Sequence, residues 1–446
     1  MGAKSATLWP PCGHRVARIS PIAGTRKHAA VWCLVICQSA MRCSVSRMVQ
    51  PTSKIDGSRI DNGIHDEIRA AMSRGPVAVD ETSGAVVVLR YRDLESLAHN
   101  PCLAGVGLTI FDFLEISDGP LRDWYSGLMF TNEGDTHRRL RHLVQKAFTP
   151  RSVERLRADA TAESTRRMTT LAAAGGGDLI NVFRQFSTWM MCRLIGVPER
   201  DVALFGNWLD ALSPVFGLME PAQITAANEA ITELSSYVGG LVERRRVDPG
   251  DALVDGLISA SVDGDQLTHD EVVGMIANLL VGGHDTTESQ LACVMLQLIR
   301  HTEQLARVRA DRALVAPAVS EAIRIEPSLP IIPRTVAESF DLYGDPLAVG
   351  SWVWLCVAAA NRDPDVWTDP DTFDVGRFTQ PGTSKLLSFG AGAHYCLGAN
   401  LARLTMEQAV ASIAAGPLLE AAADPFAATW RQVLGRSPQQ LPVTLH

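Results

Sequence analysis

A cysteine on a glycine-rich turn is the residue of this 446-residue chain with the clearest capacity for metal chemistry. Cys396 lies in residues 389–398, which read FGAGAHYCLG, and a long helical pattern follows directly. Gly390, Gly392 and Gly398 let the backbone turn tightly and approach a bulky partner. The start of a helix presents unpaired N–H groups and a positive dipole end, and both favour a thiolate over a thiol. Such a thiolate is the axial ligand that some haem irons take.

Two other interpretations of Cys396 come from the residue type alone. A free cysteine often packs as a small hydrophobic residue, so a buried structural thiol on a glycine-rich turn is one alternative. A zinc site built on His394 and Cys396 is the other. Structural zinc takes four ligands, and no second pair of Cys or His residues is suitably spaced in the chain. The sequence therefore excludes zinc on ligand count.

The whole segment resembles the haem-binding signature of the cytochrome P-450 superfamily. That pattern is Phe-Gly-x-Gly-x-His-x-Cys-x-Gly, and every fixed position is present here. The resemblance implies that haem b binds with the thiolate of Cys396 as its axial ligand. It also implies that the surrounding loop contacts the cofactor through Phe389, Gly390, His394 and Gly398.

A second pattern lies in the middle of a long apolar helix. Residues 271–300 are apolar almost all round, which predicts a buried helix, yet they contain GGHDTT at residues 282–287. This block resembles the oxygen-activation motif of the same superfamily. The resemblance implies that Gly283 lets oxygen and substrate approach, that Thr286 hydrogen-bonds the oxygen, and that Asp285 relays protons. The alternative is a helix distortion in which the threonine bonds back to the preceding turn.

A third pattern pairs opposite charges within a helix. Glu321 and Arg324 are three residues apart, so they share one helix face, and apolar neighbours suggest that this face is buried. A buried pair needs further partners, whereas a solvated surface pair would contribute little. The segment resembles the Glu-x-x-Arg motif of the superfamily. The resemblance implies a structural triad with Arg377 that pins the loop carrying Cys396.

The resemblance also suggests contacts for the haem propionates and for the substrate. Propionates need cationic or donor groups. The matching positions are His137, Arg141, Arg334 and His394. For the substrate, the implied pocket is mostly apolar, which suits a hydrophobic small molecule, although each of its residues could instead belong to the core. The pocket candidates are Phe111, Phe113, Leu279, Ile331 and Ile332.

Periodicity predicts a mainly α fold with a small β portion, organised as one large domain around a long buried central helix. Helical patterns cover residues 153–173, 179–195, 201–212, 222–246, 268–300, 303–311, 316–325 and 397–415. Strand patterns cover residues 85–91, 352–358 and 441–445. The resemblance to the superfamily implies that these elements form the single haem-thiolate fold, with residues 51–446 as the catalytic domain.

Residues 1–50 differ from the remainder because they hold seven Lys or Arg residues and no Asp or Glu. We expect a disordered basic extension or a misassigned start, with Met41 or Met48 as the true first residue; a membrane or targeting tail is the third alternative. The apolar run at residues 29–37 is too short to span a bilayer, so no transmembrane anchor is expected. Nine scattered cysteines indicate a reducing compartment, and a net charge of −8 argues against a nucleic-acid binder.

The resemblance implies a cytoplasmic haem-thiolate monooxygenase of the bacterial type. Such an enzyme activates O2 with electrons from NAD(P)H and inserts one oxygen atom, by hydroxylation or epoxidation, into a hydrophobic small molecule. The electrons would arrive through a ferredoxin or flavodoxin with its reductase. Two alternatives remain: a peroxide-driven peroxygenase, and a non-catalytic haem or ligand-binding protein of the same fold. Intact Asp285 and Thr286 argue against both.

Overall fold

The structure is a computed structural model that describes residues 54–56, 63–262, 264–432 and 434–446. The predicted basic extension, residues 1–50, lies outside these ranges. In chain order the helices are α1 (Ile64–Met72), α2 (Tyr91–Leu97), α3 (Thr109–Phe113), α4 (Pro120–Ser126), α5 (Gly134–Ala147), α6 (Pro150–Glu154), α7 (Arg157–Ala173), α8 (Leu179–Phe183), α9 (Phe186–Ile195), α10 (Val202–Leu212), α11 (Pro221–Val247), α12 (Leu253–Ser259), α13 (His269–Arg300), α14 (Thr302–Ala310), α15 (Val315–Ile325), α16 (Val357–Ala360) and α17 (Ala399–Ala415).

The strands are short. In chain order they are β1 (Lys54–Ile55), β2 (Val77–Asp80), β3 (Val86–Val88), β4 (Leu103–Ala104), β5 (Gly176–Asp178), β6 (Ser261–Val262), β7 (Asp265–Gln266), β8 (Ile331–Val336), β9 (Phe340–Leu342), β10 (Asp345–Leu347), β11 (Trp352–Cys356), β12 (Leu419–Ala421), β13 (Trp430–Gln432), β14 (Arg436–Pro438) and β15 (Pro442–Leu445). The mainly α fold with a small β portion is therefore confirmed.

Two predicted helices are each divided in the structure. The pattern at residues 153–173 forms α6 and α7, which meet around Leu156. The pattern at residues 179–195 forms α8 and α9, because Gln185 adopts a left-handed conformation with φ 58°. Such a residue ends the helical hydrogen-bond ladder, although the apolar periodicity continues across it. Periodicity alone therefore overestimates helix length at these two places.

The central helix α13 begins where its capping residues predict. Thr268 accepts a hydrogen bond from the backbone N–H of Glu271 at 3.2 Å, and Glu271 accepts one from the N–H of Thr268 at 2.8 Å, which together form a capping box. Most of the helix is buried, and it packs against α9, α11, α15 and β14. In the described part of the chain, every helix is too short or too polar to cross a membrane.

The largest sheet has the strand order β1-β2-β3-β11-β8-β4, and β11 runs parallel to β3 but antiparallel to β8. The sequence did not predict β8, because Pro333 argues against an inner strand. Alternate residues of β8 point to opposite faces. Ile332 and Val336 pack with the main core, whereas Ile331 packs with a second, smaller core formed under α1. The strand thus directs Ile332 and Arg334 to one side and Ile331 to the other.

Candidate active site

The loop at residues 389–398 joins the sheet region to α17, and its conformation depends on two glycines. Gly390 and Gly392 have φ values of 70° and 68°, in the left-handed region that favours glycine. A Cβ at position 392 would lie only 2.4 Å from the carbonyl oxygen of Ala98. The N–H of Cys396 donates to the carbonyl of Phe389 at 2.8 Å and closes the loop. The sequence-based prediction of a tight turn around the cysteine is therefore what the backbone adopts.

The surroundings of the Cys396 thiol act on its pKa in opposite directions. A substantial part of the residue is accessible at the surface, yet the surrounding protein still raises the pKa of the Cys396 thiol. The N–H of Gly398 and the charges of Arg141 and Arg403 oppose that shift only in part. The backbone N–H groups of Gly398 and Ala399 at the start of α17 thus favour the thiolate, while burial of the thiol acts against them. Bonding to a metal would supply the missing stabilisation, since a coordinating thiol is deprotonated outright.

Polar side chains from α5 and from the loop meet beside the cysteine. The rings of His137 and His394 lie 4.2 Å apart, and His394 Nε2 is 2.9 Å from Glu133 Oε2. Burial, together with the charges of His394 and Arg141, lowers the pKa of His137 to about 4. His137 Nε2 is buried and has no hydrogen-bond partner among the described residues. A buried, unpartnered ring nitrogen is unusual, and it suits a ligand oxygen.

Arg334 adds a cation to the same group. Its guanidinium donates to the carbonyl of Pro333 at 3.0 Å, and it forms no ion pair within the described ranges. Burial lowers the pKa of Arg334, and the charge of Glu133 opposes this shift. Arg141 donates to the carbonyl of Tyr395 at 2.6 Å. These donors, a soft sulfur ligand and a glycine loop without side-chain bulk are the groups that a haem with two propionates requires, so the residues present fit that cofactor.

The middle of α13 presents one open face. The hydroxyl of Thr286 donates to the carbonyl of Gly282 at 2.7 Å, one turn earlier. Gly282 is exposed, and a Cβ there would meet nothing within 4 Å. A Cβ at Gly283 would instead lie 3.1 Å from the sulfur of Met191. The structure thus differs from the prediction: Gly282, and not Gly283, provides the open approach beside Thr286, and Leu279 continues this face by helical spacing.

Asp285 does not point toward Thr286 although it precedes that residue in the chain. Its side chain is buried, and Oδ2 accepts hydrogen bonds from the N–H groups of Gly435 at 2.7 Å and Leu434 at 3.1 Å. Oδ1 lies 3.6 Å from Nη1 of Arg431. Successive side chains diverge by about 100° around a helix, so the predicted side-by-side acid and alcohol occupy different faces.

Glu321, Arg324 and Arg377 come together as expected. Arg324 binds Glu321 through two hydrogen bonds of 2.7 and 2.8 Å, and both side chains are fully buried. Nε of Arg377 lies 3.0 Å from Glu321 Oε1. The remaining N–H groups of the two arginines donate to backbone carbonyls, which belong to Asn361, Thr368, Asp369, Pro370 and Thr372.

The triad thus holds residues 361–372 directly, and not the cysteine loop. The connection to that loop has one further step. The side chain of Asn361 donates to Ser388 Oγ at 2.7 Å, and Ser388 Oγ donates to the carbonyl of Ile323 at 3.2 Å. Ser388 immediately precedes Phe389, so the triad supports the cysteine loop through Asn361 and Ser388.

The five pocket candidates separate into two groups. Phe111 is fully buried and packs on Tyr125 with ring centroids 4.6 Å apart, so it is a core residue. Ile331 faces the second core, because adjacent strand residues point to opposite sides. Ile332 lies against the cysteine loop, with its Cδ1 3.9 Å from a Cβ built at Gly390. Leu279 and Phe113 are half-buried. Of the five candidates, Phe111 and Ile331 thus pack with the two cores.

Sequence reasoning missed a second buried ion network. Glu326 is fully buried and forms an ion pair with Arg436. His65 Nε2 lies 2.9 Å from Glu326 Oε1, and Gln297 donates to Oε2 at 3.2 Å. Burial alone would raise the pKa of Glu326, but Arg436 and then His65 hold it well below its usual range. The partners come from distant parts of the chain, so no local spacing could have revealed them.

Comparisons with known proteins agree on one family. A family model described as Cytochrome P450 matches residues 204–414. Luteothin monooxygenase of Streptomyces thioluteus is 30% identical over 382 residues, 85% of this chain and 92% of that protein. The 6-deoxyerythronolide B hydroxylase of Saccharopolyspora erythraea is 32% identical over 329 residues, 73% of this chain and 80% of that protein. Among solved structures, P450BioI in complex with an acyl-ligated acyl carrier protein has a TM-score of 0.74 at 26% identity, covering 86% of this chain and 98% of that one.

These relatives are named as a monooxygenase and a hydroxylase, and they span most of the described chain. The haem-binding loop, the central helix and the buried triad lie within the matched length. The protein is accordingly an oxidoreductase that uses haem with a cysteine thiolate, receives electrons from NAD(P)H through a redox partner and oxygenates a small molecule. The chain belongs to the cytochrome P450 family.

Proposed function

We propose that the enzyme oxygenates a hydrophobic small molecule bound along the open face of α13, with Cys396 as the haem ligand. Bound haem supplies the redox-active iron at which molecular oxygen is reduced and split. The observation that carries the proposal is the open space beyond Gly282, which lies one helical turn before Thr286. The hydrogen bond from Thr286 to the carbonyl of Gly282 fits the helix-distortion alternative equally well. A hydroxyl held on an open helix face can order oxygen and water at one place.

The other chain residues have separate roles in this proposal. His137, Arg141 and Arg334 would hold the propionates, since their donors lack carboxylate partners. His394 would also bind a propionate, after giving up its contact with the carboxylate of Glu133. Asp285 would supply protons from a neighbouring face of α13. The roles of Phe389, Gly390 and Gly398 are to shape the loop that presents Cys396.

The substrate class follows from the lining of the open face. Leu279, Ile332 and Phe113 are apolar and incompletely buried, which suits a hydrophobic ligand. Relatives are named for 6-deoxyerythronolide B and for luteothin, so one scaffold serves different substrates. We propose hydroxylation or epoxidation of a hydrophobic molecule. Binding screens that follow the haem absorption band, then product analysis, would identify it.

For the redox partner we propose a ferredoxin or flavodoxin acting in the cytoplasm. Arg138, His142 and Lys146 are exposed at four-residue intervals on α5, next to the cysteine loop, and form a basic stripe on an otherwise acidic chain. Arg403 is not counted in this stripe, because its guanidinium stacks on Phe389, 4.4 Å from the ring centroid. The five cysteines of the described residues are free thiols, as a reducing compartment favours.

Replacing the proposed ligand tests the cofactor assignment. Cys396→Ser should abolish the strongly red-shifted absorption of the reduced, CO-bound enzyme, because an alcohol cannot replace the thiolate donor. Cys102→Ser is the matched control, since Cys102 is a half-buried free thiol that is not part of residues 389–398, and it should keep the band. Retention of the band in Cys396→Ser would disprove the assignment.

Replacing the proposed oxygen-ordering hydroxyl tests the reaction. Thr286→Ala should bind haem and substrate normally but release peroxide in place of product, because protons would reach the wrong oxygen atom. Thr287→Ala, at the buried neighbour, is the control and should remain coupled. NAD(P)H consumed, peroxide released and product formed are measured together. A fully coupled Thr286→Ala enzyme would contradict the assigned role of Thr286 and reopen both alternatives. Efficient turnover with hydrogen peroxide alone would favour the peroxygenase.

A further inference from the structure

The central helix α13 buries three side-chain amides, those of Asn278, Gln290 and Gln297, and they differ in their partners. Gln290 donates to the carbonyl of Glu326 at 3.0 Å and accepts from the N–H of Ser328 at 2.9 Å. Gln297 donates to a carboxylate oxygen of Glu326 at 3.2 Å. Both glutamines therefore hold the segment that follows α15 against the central helix.

Asn278 has no such polar partner. Its amide nitrogen reaches only the sulfur of Met275, at 3.8 Å, and its amide oxygen accepts no hydrogen bond from the described residues. A thioether is a weak acceptor, whereas a side-chain amide can donate two hydrogen bonds and accept two. Asn278 is only 7% exposed, so this unused capacity lies almost wholly out of water. Buried polar groups normally have partners, and an amide without them suits a partner from outside the chain.

The helix surface is uncovered on both sides of Asn278. Gly274 lies four residues before Asn278 and Gly282 four residues after it, so the three positions follow one side of α13. A Cβ at either glycine would meet nothing within 4 Å. Thr286 continues the series and is partly exposed. The amide thus stands one helical turn from the glycine that the proposed substrate approaches.

We propose that Asn278 is the polar anchor of the substrate, and that it selects hydrophobic molecules that carry a hydrogen-bonding group such as a ketone or a hydroxyl. This inference rests on the proposed function, in which the substrate binds along the open face of α13. The helix rises about 1.5 Å per residue, so Asn278 lies about 6 Å from Gly282 and about 12 Å from Thr286 along the axis. The polar group of the substrate therefore lies about 6–12 Å from the carbon that is oxygenated.

The anchor acts on both affinity and orientation. A ketone accepts from the amide N–H groups of Asn278, and a hydroxyl can also donate to the amide oxygen. In an otherwise apolar site, one such hydrogen bond fixes which end of the molecule points toward Thr286. A molecule that lacks the polar group leaves the buried amide unpaired and gains nothing from it.

Stability measurements without any ligand test whether Asn278 instead holds the fold. Asn278→Leu removes an unpaired amide, so the urea midpoint of unfolding should be unchanged or higher. Gln290→Leu is the matched control on the same helix. It leaves the carbonyl of Glu326 and the N–H of Ser328 without their partner, so its midpoint should fall. A fall in Asn278→Leu as large as that in Gln290→Leu would show a structural amide and overturn the proposal.

Binding of two matched probes to the haem-loaded enzyme tests the anchor itself. Cyclooctanone and cyclooctane differ only in the carbonyl group, and their dissociation constants are measured from the shift of the haem absorption band. Asn278→Leu should weaken cyclooctanone binding by about tenfold and should leave cyclooctane binding unchanged or stronger. Gln290→Leu should leave the ratio of the two constants unchanged. An equal effect of Asn278→Leu on both probes would overturn the proposal.

The anchor and the proposed function fail in different ways. If both probes bind the unsubstituted enzyme and Asn278→Leu does not distinguish them, the role of Asn278 is wrong and the hydrophobic site stands. If neither probe binds the unsubstituted enzyme, the hydrophobic site is contradicted, and the anchor with it.

Discussion

Two buried carboxylates five residues apart, Glu321 and Glu326, use different means of burying a negative charge. Glu321 is held by Arg324 and Arg377, whose charges do not depend on pH near neutrality, and its main partner is one helical turn away. Glu326 is held by Arg436 and by His65, which come from the two ends of the described chain. The first network is local and permanently charged. The second closes the fold over a long distance and contains a titratable partner.

The largest expected effect comes from breaking the local network. Arg324→Ala should destabilise the protein by about 3–5 kcal/mol, because the buried Glu321 would keep only one of its two arginines. Little haem-loaded protein should be obtained, since the support of residues 361–372 is lost as well. Haem content and the urea midpoint are measured. Arg166→Ala is the control, because that arginine is largely exposed and its pair with Glu163 should contribute about 1 kcal/mol or less. Normal haem content in Arg324→Ala would contradict the comparison.

The distant network should respond less to the loss of its arginine. Arg436→Met should cost about 3 kcal/mol, the lower end of the range for breaking a buried pair, because Glu326 keeps His65 and has Arg300 at 4.0 Å. The double variant Arg436→Met with Glu326→Met should regain part of this stability, since the buried carboxylate is removed together with its strongest partner; Arg300 would still lose its contact with Glu326. Urea unfolding of both variants checks the prediction. A double variant as unstable as the single one would show that packing of Arg436 on Trp430 matters more than its charge.

The smallest expected effect is a difference between the two networks in how the unfolding free energy depends on pH. Burial, with the charge of Arg362 as a lesser contribution, lowers the pKa of His65, although Glu326 opposes this shift. The folded state therefore binds fewer protons than the unfolded state just below the ordinary histidine pKa, 6.5. Stability contributed by neutral His65 is present above pH 6.5 and is lost as the pH falls toward the lowered value. His65→Gln should reduce the slope of unfolding free energy in this window.

His269→Gln is the control for that measurement, because His269 pairs with Glu243 at the surface, outside both networks. The pKa of His137 is lowered too, so His137 also contributes to the dependence of the unfolding free energy on pH. The contribution of His65 is therefore the difference in slope between His65→Gln and the unsubstituted protein. An unchanged slope in His65→Gln would show that the second network is no more sensitive to pH than the first.

The contrast also explains what the sequence could predict. Glu321 and Arg324 are three residues apart, and the glycines and Cys396 occupy one segment of ten residues, so their grouping follows from local backbone geometry. The main helices followed from periodicity in the same way. The orientation of Asp285 could not be predicted from local spacing. The N–H groups that bind it lie about 150 residues later, in a hairpin that reaches α13 only in the folded protein. The prediction of pocket residues was limited for a related reason, because apolar character alone does not distinguish a core residue such as Phe111 from a pocket residue.

The ion pair between Glu326 and Arg436 has a consequence for how the protein is made. Arg436 follows Glu326 by 110 residues in the sequence, so it leaves the ribosome long after Glu326 and also after Cys396. Until then Glu326 lacks its strongest partner and its burial is unfavourable. A prematurely terminated chain could contain Cys396 and both oxygen-site residues and still be unable to close its core around this carboxylate. The fold thus distinguishes chains that contain Arg436 from chains that stop before it, and the shorter chains should be more susceptible to proteases.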